Sequence, residues 1–319
     1  MTASAIVFAY HDVGVRCLSV LLAHGVRVAL VVTHRDDPKE NIWFGSVERL
    51  ARDQGLEVAT PGDPNAPEFA AAVARIAPDF LFSFYYRHML SPALLAGARR
   101  GAFNMHGSLL PKYRGRVPVN WAILRGERET GATLHEMVEK PDAGRIVDQM
   151  AVPILPDDVA LDVFRKVTVA AELVLDRALP ALLAGEATLT EQKLSQGSYF
   201  GGRKAEDGRI DWSQGARAIH DLVRAVAPPY PGAFTALAGR RLRLLRTRVL
   251  EAKRSARPAT LVLEAEGRLV ADCADGGRLQ LLAWDVDGET FDAARFRERI
   301  GAGPHRLGAP LNPPERQSP

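Results

Sequence analysis

Two cysteines among 319 residues, Cys17 in an apolar pattern and Cys273 in a β-prone run, leave no disulfide framework and no C-x-x-C pair for a metal or for redox exchange. No apolar stretch reaches the roughly 18 residues that a membrane-spanning helix takes. The opening run, ASAIVFAY, is short and lacks a basic flank, so it does not read as a signal peptide. A cytoplasmic protein with no membrane partner is therefore expected. The net charge of +3, with no basic block, argues against a nucleic-acid tail. The histidines, at 11, 24, 34, 88, 106, 135, 220 and 305, form no H-E-x-x-H and no close Cys/His cluster, and no metal site is predicted. The turn after the first apolar run, HDVG, lacks the G-x-G-x-x-G spacing of a dinucleotide fold. Around Ser108 the sequence GSLLP is not a G-x-S-x-G nucleophile elbow.

What is present has the texture of an ordinary globular chain, 47% apolar and 25% charged, and long enough for two domains. Strand-like and helix-like segments alternate from the start. Strands are expected at Ala5–Tyr10, Val26–Thr33, Leu56–Ala59, Phe80–Tyr85 and Ala102–Met105, and helices at Val15–His24, Val47–Gln54, 67–77 and Ser91–Gly97. That alternation predicts a doubly wound, mostly parallel α/β sheet with helices on both faces. Helix Val119–Arg125, strands Gly131–Val138 and Arg145–Val152 and a long helix Val159–Ala184 complete a domain spanning residues 1–188. A polar, glycine-rich linker is expected at 189–207. A helix Ala216–Val226 and short β-prone runs separated by turns then read as a small barrel or sandwich over 208–305, with 306–319 a disordered tail.

The stretch NMHGSLLPKYRGRVPVN, 104–120, is where chemistry enters. Asn104 and His106 lie at the carboxyl end of an expected strand, where open sheets keep their ligand crevices, and residues i and i+2 share a face. An amide can donate to a developing oxyanion, and an imidazole can carry a proton near neutrality. Gly107 permits close approach of a ligand or an unusual turn. The basic loop Lys112–Arg116, stiffened by Pro111 and Pro118, suits an anionic ligand. The competing reading makes His106 a cap or a partner for a buried carbonyl and the arginines solvated surface. Asp142, in EKPDAG, could orient the His106 ring or take a proton from an attacking amine; as easily, it is a common turn residue. An amide, an imidazole and a carboxylate without a nucleophile suit transfer of an acyl-like group between two bound substrates.

The segment FNMHGSLLPKYRGRVPVNWAILRGERETGATLHEMVEKPDAGRIV resembles the central motif of the 10-formyltetrahydrofolate-dependent formyltransferases: Asn-x-His-x-Ser-Leu-Leu-Pro, then Tyr-Arg-Gly, then an Asp-x-Gly turn. VFAYHDVG, THRDDPKENIWFGSV, SFYYRHML, KYRGRVPVNW and RAVAPPYPGAF are most similar to the ArnA-like branch, and carry the likeness from Ile6 to about Phe234. That branch formylates UDP-4-amino-4-deoxy-L-arabinose on the route to modified lipid A and polymyxin resistance. The resemblance implies a Rossmann-like folate-binding domain followed by a smaller OB-like β domain. It implies Asn104, His106 and Asp142 as the catalytic residues. It also implies a donor held by His88, Met89 and Leu90, by Val138, Glu139, Lys140 and Pro141 leading into Asp142, and by Arg116. The implied partners are small molecules: 10-formyltetrahydrofolate as formyl donor and a nucleotide-linked 4-amino sugar as acceptor.

Methionyl-tRNA is the rival acceptor. In that branch the loop after the second strand tends to be basic, whereas HRDDPKENIWFG mixes both signs. The run RRLRLLRTR at 240–248 is locally basic, yet its alternation reads equally as a strand with one wet face. Asn120 and Trp121 match the ArnA-like form of the motif. ArnA enzymes carry a further decarboxylase domain with no counterpart in these residues, which leaves the pathway open. A non-catalytic binding protein of the same fold is a third reading, disfavoured by the intact residue set.

Overall fold

Parallel strands covered on both faces need nearly continuous apolar runs, and the first half of the chain supplies them. The computed structural model describes residues 2–251 and 258–308. The chain divides into two compact units. The first unit holds strands β1 (Ser4–Ala9), β2 (Arg27–Val32), β3 (Val58–Ala59), β4 (Phe80–Phe84), β5 (Gly101–His106), β6 (Arg114–Gly115), β7 (Glu129–Glu136), β8 (Ile146–Pro153) and β9 (Tyr199–Phe200). Its main sheet runs β3-β2-β1-β4-β5-β7-β8. The pairings from β3 to β5 are parallel, and β7 and β8 close the far edge antiparallel. The expected Rossmann-like, mostly parallel sheet is thus the observed one. Every residue of β1 and β4 is buried. Ile6, Phe8, Leu30, Val32 and Leu81 form one face of the core with Leu90 and Leu94.

Helices α1 (His11–Ala23), α2 (Val47–Asp53), α3 (Pro67–Ile76), α4 (Pro92–Leu95), α5 (Pro118–Leu124) and α6 (Ala160–Ala184) stand between the strands. Ser46 caps α2 by accepting from Arg49 N–H, and Ser91 caps α4 by accepting from Leu94 N–H. Helix α1 starts at His11, four residues before the expected Val15. Its first turn carries Asp12, whose charge suits a helix N-terminus. Short excursions of the first half, Asn120–Arg128 and Ile154–Asp162, belong to the second unit with the chain from Arg203 onward. There the Asn120 amide donates to the Ala225 carbonyl (2.7 Å), and buried Arg224 pairs with Asp221 (2.7 Å).

In the second unit α7 (Ala216–Ala225) precedes β10 (Ala233–Leu237), β11 (Arg240–Leu250), β12 (Thr260–Leu263), β13 (Leu269–Asp272), β14 (Arg278–Val286), β15 (Glu289–Thr290), α8 (Ala293–Arg299) and β16 (His305–Arg306). The sheet order is β10-β11-β14-β13-β12-β16, antiparallel throughout, with irregular register between β11 and β14 that curls it. A second β domain is thus observed, as expected, and its sheet is antiparallel. Leu242, Leu244, Leu261, Leu279 and Phe296 fill its core. Helix α8 has no counterpart in the sequence reading; Asp292 caps it by accepting from Arg295 N–H (2.7 Å). Arg306, placed in the tail by the sequence reading, pairs with Thr260, and Leu307 is buried. The tail from residue 309 lies outside the described residues. No helix among the described residues is long and apolar enough to cross a membrane.

Gly131 in β7 lies so close to its neighbours that a Cβ would collide with the Met150 carbonyl oxygen and come within 2.6 Å of Leu109 Cδ2. Gly131→Ala is expected to lower stability by about 1–3 kcal/mol, read from urea unfolding; an unchanged midpoint would mean that β7 and β8 separate without cost.

Candidate active site

Asn104, His106, Tyr113, Gly115, His135 and Asp142 all belong to the first unit. Asn104 and His106 lie on one face of β5, at its carboxyl end. The antiparallel register sets His135 of β7 directly opposite Asn104, and opposed residues share a face. Gly107 follows at once, and a Cβ there would strike the Tyr85 hydroxyl. Asp142 arrives from the loop after β7, with φ of +51°. Its Oδ1 stands 3.6 Å from His106 Nδ1 and 3.6 Å from His135 Nε2. These are ion-pair separations rather than direct hydrogen bonds. Asp142 Oδ2 accepts from Gly115 N–H at 2.8 Å.

The partners assign the protons. His135 Nδ1 faces the Glu136 carbonyl at 2.7 Å and therefore carries hydrogen there. With the ring neutral, its Nε2 accepts from Asn104 Nδ2 at 3.1 Å. One amide N–H of Asn104 is thereby occupied, and the second is left for a ligand oxygen. His106 Nε2 donates to the Tyr113 carbonyl at 2.8 Å, which leaves Nδ1 turned to Asp142. A proton arriving at Nδ1 would face a carboxylate, so both N–H groups of the charged ring would meet oxygen. The set can therefore take up a proton at His106 and donate from Asn104, which is what acyl transfer asks for. Burial alone pushes the Asp142 carboxyl up, but the His106 and His135 rings, when protonated, and the Gly115 N–H outweigh it. They hold the carboxyl well below the ordinary carboxylate range.

Ser108 is fully buried, and its hydroxyl donates to the Lys112 carbonyl (2.6 Å), fastening the loop rather than facing a substrate. Thr133 braces the same loop by donating to the Ser108 carbonyl (2.6 Å) and accepting from Leu110 N–H (3.2 Å). His11, Tyr85, Tyr113, Val117 and Asp142 all have positive φ, so unfavourable backbone gathers around this end of the sheet. His11 stacks on Phe44 with ring centres 3.8 Å apart and touches Trp43 and Phe164 edge-on. Burial, aided by Arg87, holds its pKa down to about 3. His34 stacks on Tyr86 and accepts from Arg87 N–H (3.0 Å); burial, His88 and Arg87 hold it down to about 4. Both rings are neutral aromatic packing at ordinary pH.

The segments expected to hold a donor flank one apolar cluster. Leu90 is buried there, and Met137, next to Val138, packs against it. His88 and Met89 are exposed, Met89 strongly so at 58%, and the Met89 carbonyl accepts from Asn65 Nδ2 (2.8 Å). Val138, Glu139 and Lys140 are exposed, and Pro141 is half-buried beside Asp142. Arg116 is exposed, with its N–H given to the Phe200 carbonyl (2.9 Å). Asn104, His106 and Asp142 come together. His135, the Tyr113 carbonyl and the Gly115 N–H join them without having been singled out for the site. The signal that could have found His135 is its strand position opposite Asn104, which needs the pairing register.

A family model described as formyl transferase matches residues 17–179, and one described as formyl transferase, C-terminal domain, matches 203–297. Among solved structures, an N-formyltransferase from Helicobacter canadensis, in complex with folinic acid and dTDP-3-aminofucose, is similar with a TM-score of 0.69 and 21% identity, over 88% of this chain and 99% of that one. WlaRD, a sugar 3N-formyl transferase solved in the presence of dTDP and 5-N-formyl-THF, gives 0.67 and 18%, over 91% and 99%. HypX from Aquifex aeolicus gives 0.63 and 19%, over 94% of this chain and 48% of its own. At these identities the likeness is one of fold.

Because the folded Asp142 carboxyl titrates below its ordinary 3.8, the stability that its ionised form contributes is present above that value and lost as the pH falls below it. The stability gap between the wild type and Asp142→Asn, followed by urea unfolding, is expected to narrow as the pH drops below about 4. A gap that stays constant down to about pH 3 would show the carboxylate to be unsupported.

Proposed function

Because the chain belongs to the formyl transferase family, we propose that it carries a formyl group from 10-formyltetrahydrofolate to the primary amine of a nucleotide-linked amino sugar. The observation that carries this reading is the meeting of Asn104, His106 and Asp142 on one face at the carboxyl end of β5. The amine nitrogen attacks the formyl carbon and forms a new C–N bond. The carbonyl oxygen becomes an oxyanion that accepts from the free Asn104 N–H, while a protonated His106, held between the Tyr113 carbonyl and Asp142, offsets its charge. Asp142 supports the charged ring and receives the amine's proton, directly or through water. The bond from carbon to the folate N10 then breaks, and that nitrogen leaves with the proton that Asp142 received from the amine. His88–Leu90, Val138–Pro141 and Arg116 are assigned to the folate donor.

Within the acceptor class we propose a UDP-linked 4-amino-4-deoxy sugar such as UDP-4-amino-4-deoxy-L-arabinose, on the strength of the ArnA-like phrases, Asn120 and Trp121 among them. The solved relatives bound to dTDP-3-aminofucose and dTDP support a sugar nucleotide of some kind. Methionyl-tRNA is less well supported. In the basic run of β11, Arg240 pairs with Asp287 and Arg243 with Asp285, while Arg241 lies over the Phe234 ring at 3.7 Å. Those three arginines already have partners, which weakens the strand as a phosphate-binding surface.

The test is turnover of 10-formyltetrahydrofolate against UDP-4-amino and dTDP-3-amino sugars and methionyl-tRNA. The UDP sugar is expected to give the highest kcat/KM; a preference for tRNA, or no formylated amine at all, would overturn the reading. Asn104→Ala is expected to lower kcat about 10²–10³-fold, the usual cost of one oxyanion donor. An Asn104→Ala enzyme with wild-type kcat would remove the amide from the mechanism.

A further inference from the structure

The polar span that follows α6 runs as a strap along the site. Thr190 exchanges backbone hydrogen bonds with Ile146, 2.8 Å each way. Gln192 then donates from Nε2 to two carbonyl oxygens, those of Asp142 (3.0 Å) and Gly144 (2.6 Å). Gly197 lies against Pro111, where a Cβ would strike the Pro111 carbonyl oxygen. Ser198 accepts from Tyr113 N–H at its hydroxyl (2.9 Å) and from Arg114 N–H at its carbonyl (3.0 Å). The Phe200 ring stacks on Tyr113, with centroids 5.4 Å apart. One strap therefore grips two separate loops. The first supplies the Tyr113 carbonyl to His106 and the Gly115 N–H to Asp142; the second carries Asp142 itself.

Among the described residues, Gln192 is the strap side chain that reaches the Asp142 turn in this way. Both groups it meets are acceptors, so the amide must present its NH2 end to them. Its Oε1 is buried and has no hydrogen-bond partner. An amide that leaves its oxygen unmatched contributes through its donor end. The turn it bridges holds Asp142 at φ of +51°, a conformation that persists only where surrounding contacts impose it.

We infer that Gln192 is a positioning residue: by tying the Asp142 and Gly144 carbonyls to the strap, it sets where the Asp142 carboxylate stands against His106 and His135. The rate readout of this inference rests on the formyl-transfer reading; the geometric readout does not. Gln192→Met keeps the length and loses the donor, Gln192→Glu sets oxygen against two carbonyls, and Gln192→Lys restores a donor that can reach both. With kcat measured for the accepted amino sugar, the Met and Glu variants are expected to fall about ten- to a hundredfold, the scale of a misplaced catalytic group. Thermal midpoint and Kd for 5-formyltetrahydrofolate should stay near wild type, and the Lys variant should recover most of the rate.

In parallel, imidazole nitrogen resonances of histidine-labelled protein are expected to move at His106 and His135 in the Met and Glu variants and to return in the Lys variant. A wild type that formylates no amine would sink the function and leave these resonances to decide the strap. The inference is overturned by unmoved resonances and unchanged kcat in Gln192→Met. It is equally overturned by a rate that falls in step with the thermal midpoint in all three variants, or by a Lys variant no better than Met.

Discussion

A carboxylate facing two imidazoles, with its second oxygen on a backbone N–H, organises this end of the molecule. Asp142 is mostly buried, and a buried charge without partners is costly. Its partners come from three different strands: His106 on β5, Gly115 on β6 and His135 on β7. Each partner is itself fixed by a second contact. His106 is held by the Tyr113 carbonyl and His135 by the Glu136 carbonyl, and His135 in turn orients Asn104. Protonation and geometry are therefore set together, because moving any one ring unpairs another buried group.

The scaffold puts this cluster where an open α/β sheet leaves room for ligands, beyond the carboxyl ends of its parallel strands. The long strands supply Asn104, His106 and His135, the two-residue β6 supplies Gly115, and loops supply Asp142 and Tyr113. Loops can reach such positions only by adopting backbone conformations that regular elements avoid, and positive φ at Tyr113, Val117 and Asp142 is the trace of that. The packing around Gly107, where the Tyr85 hydroxyl occupies the place of a side chain, keeps β4 and β5 close at the same point.

Sequence reasoning went a long way toward the cluster, and its gaps have a common origin. Asn104 and His106 could be placed on one face because a strand alternates with a period of two, a purely local rule. Asp142 was indicated by its motif, but as an isolated turn residue its place beside His106 had no local signature. His135 sits in a strand that the periodicity found, yet its position opposite Asn104 follows from the β5–β7 register, which is set by contacts across 31 residues. Ser108, which has no nucleophile elbow around it, commits its hydroxyl to the Lys112 carbonyl, a contact that only the folded loop shows.

Composition, apolar periodicity and turn residues were enough to specify a mostly parallel α/β sheet, a following small β domain and an amide–imidazole pair at a strand end. These properties are encoded over a few neighbouring residues, so a single chain can be read for them. Which carboxylate meets which imidazole, which ring nitrogen holds hydrogen and which polar segment braces the Asp142 turn emerged on folding alone. Those features arise where segments distant in the chain compete for the same hydrogen-bond partners, and only the packed arrangement shows which of them wins.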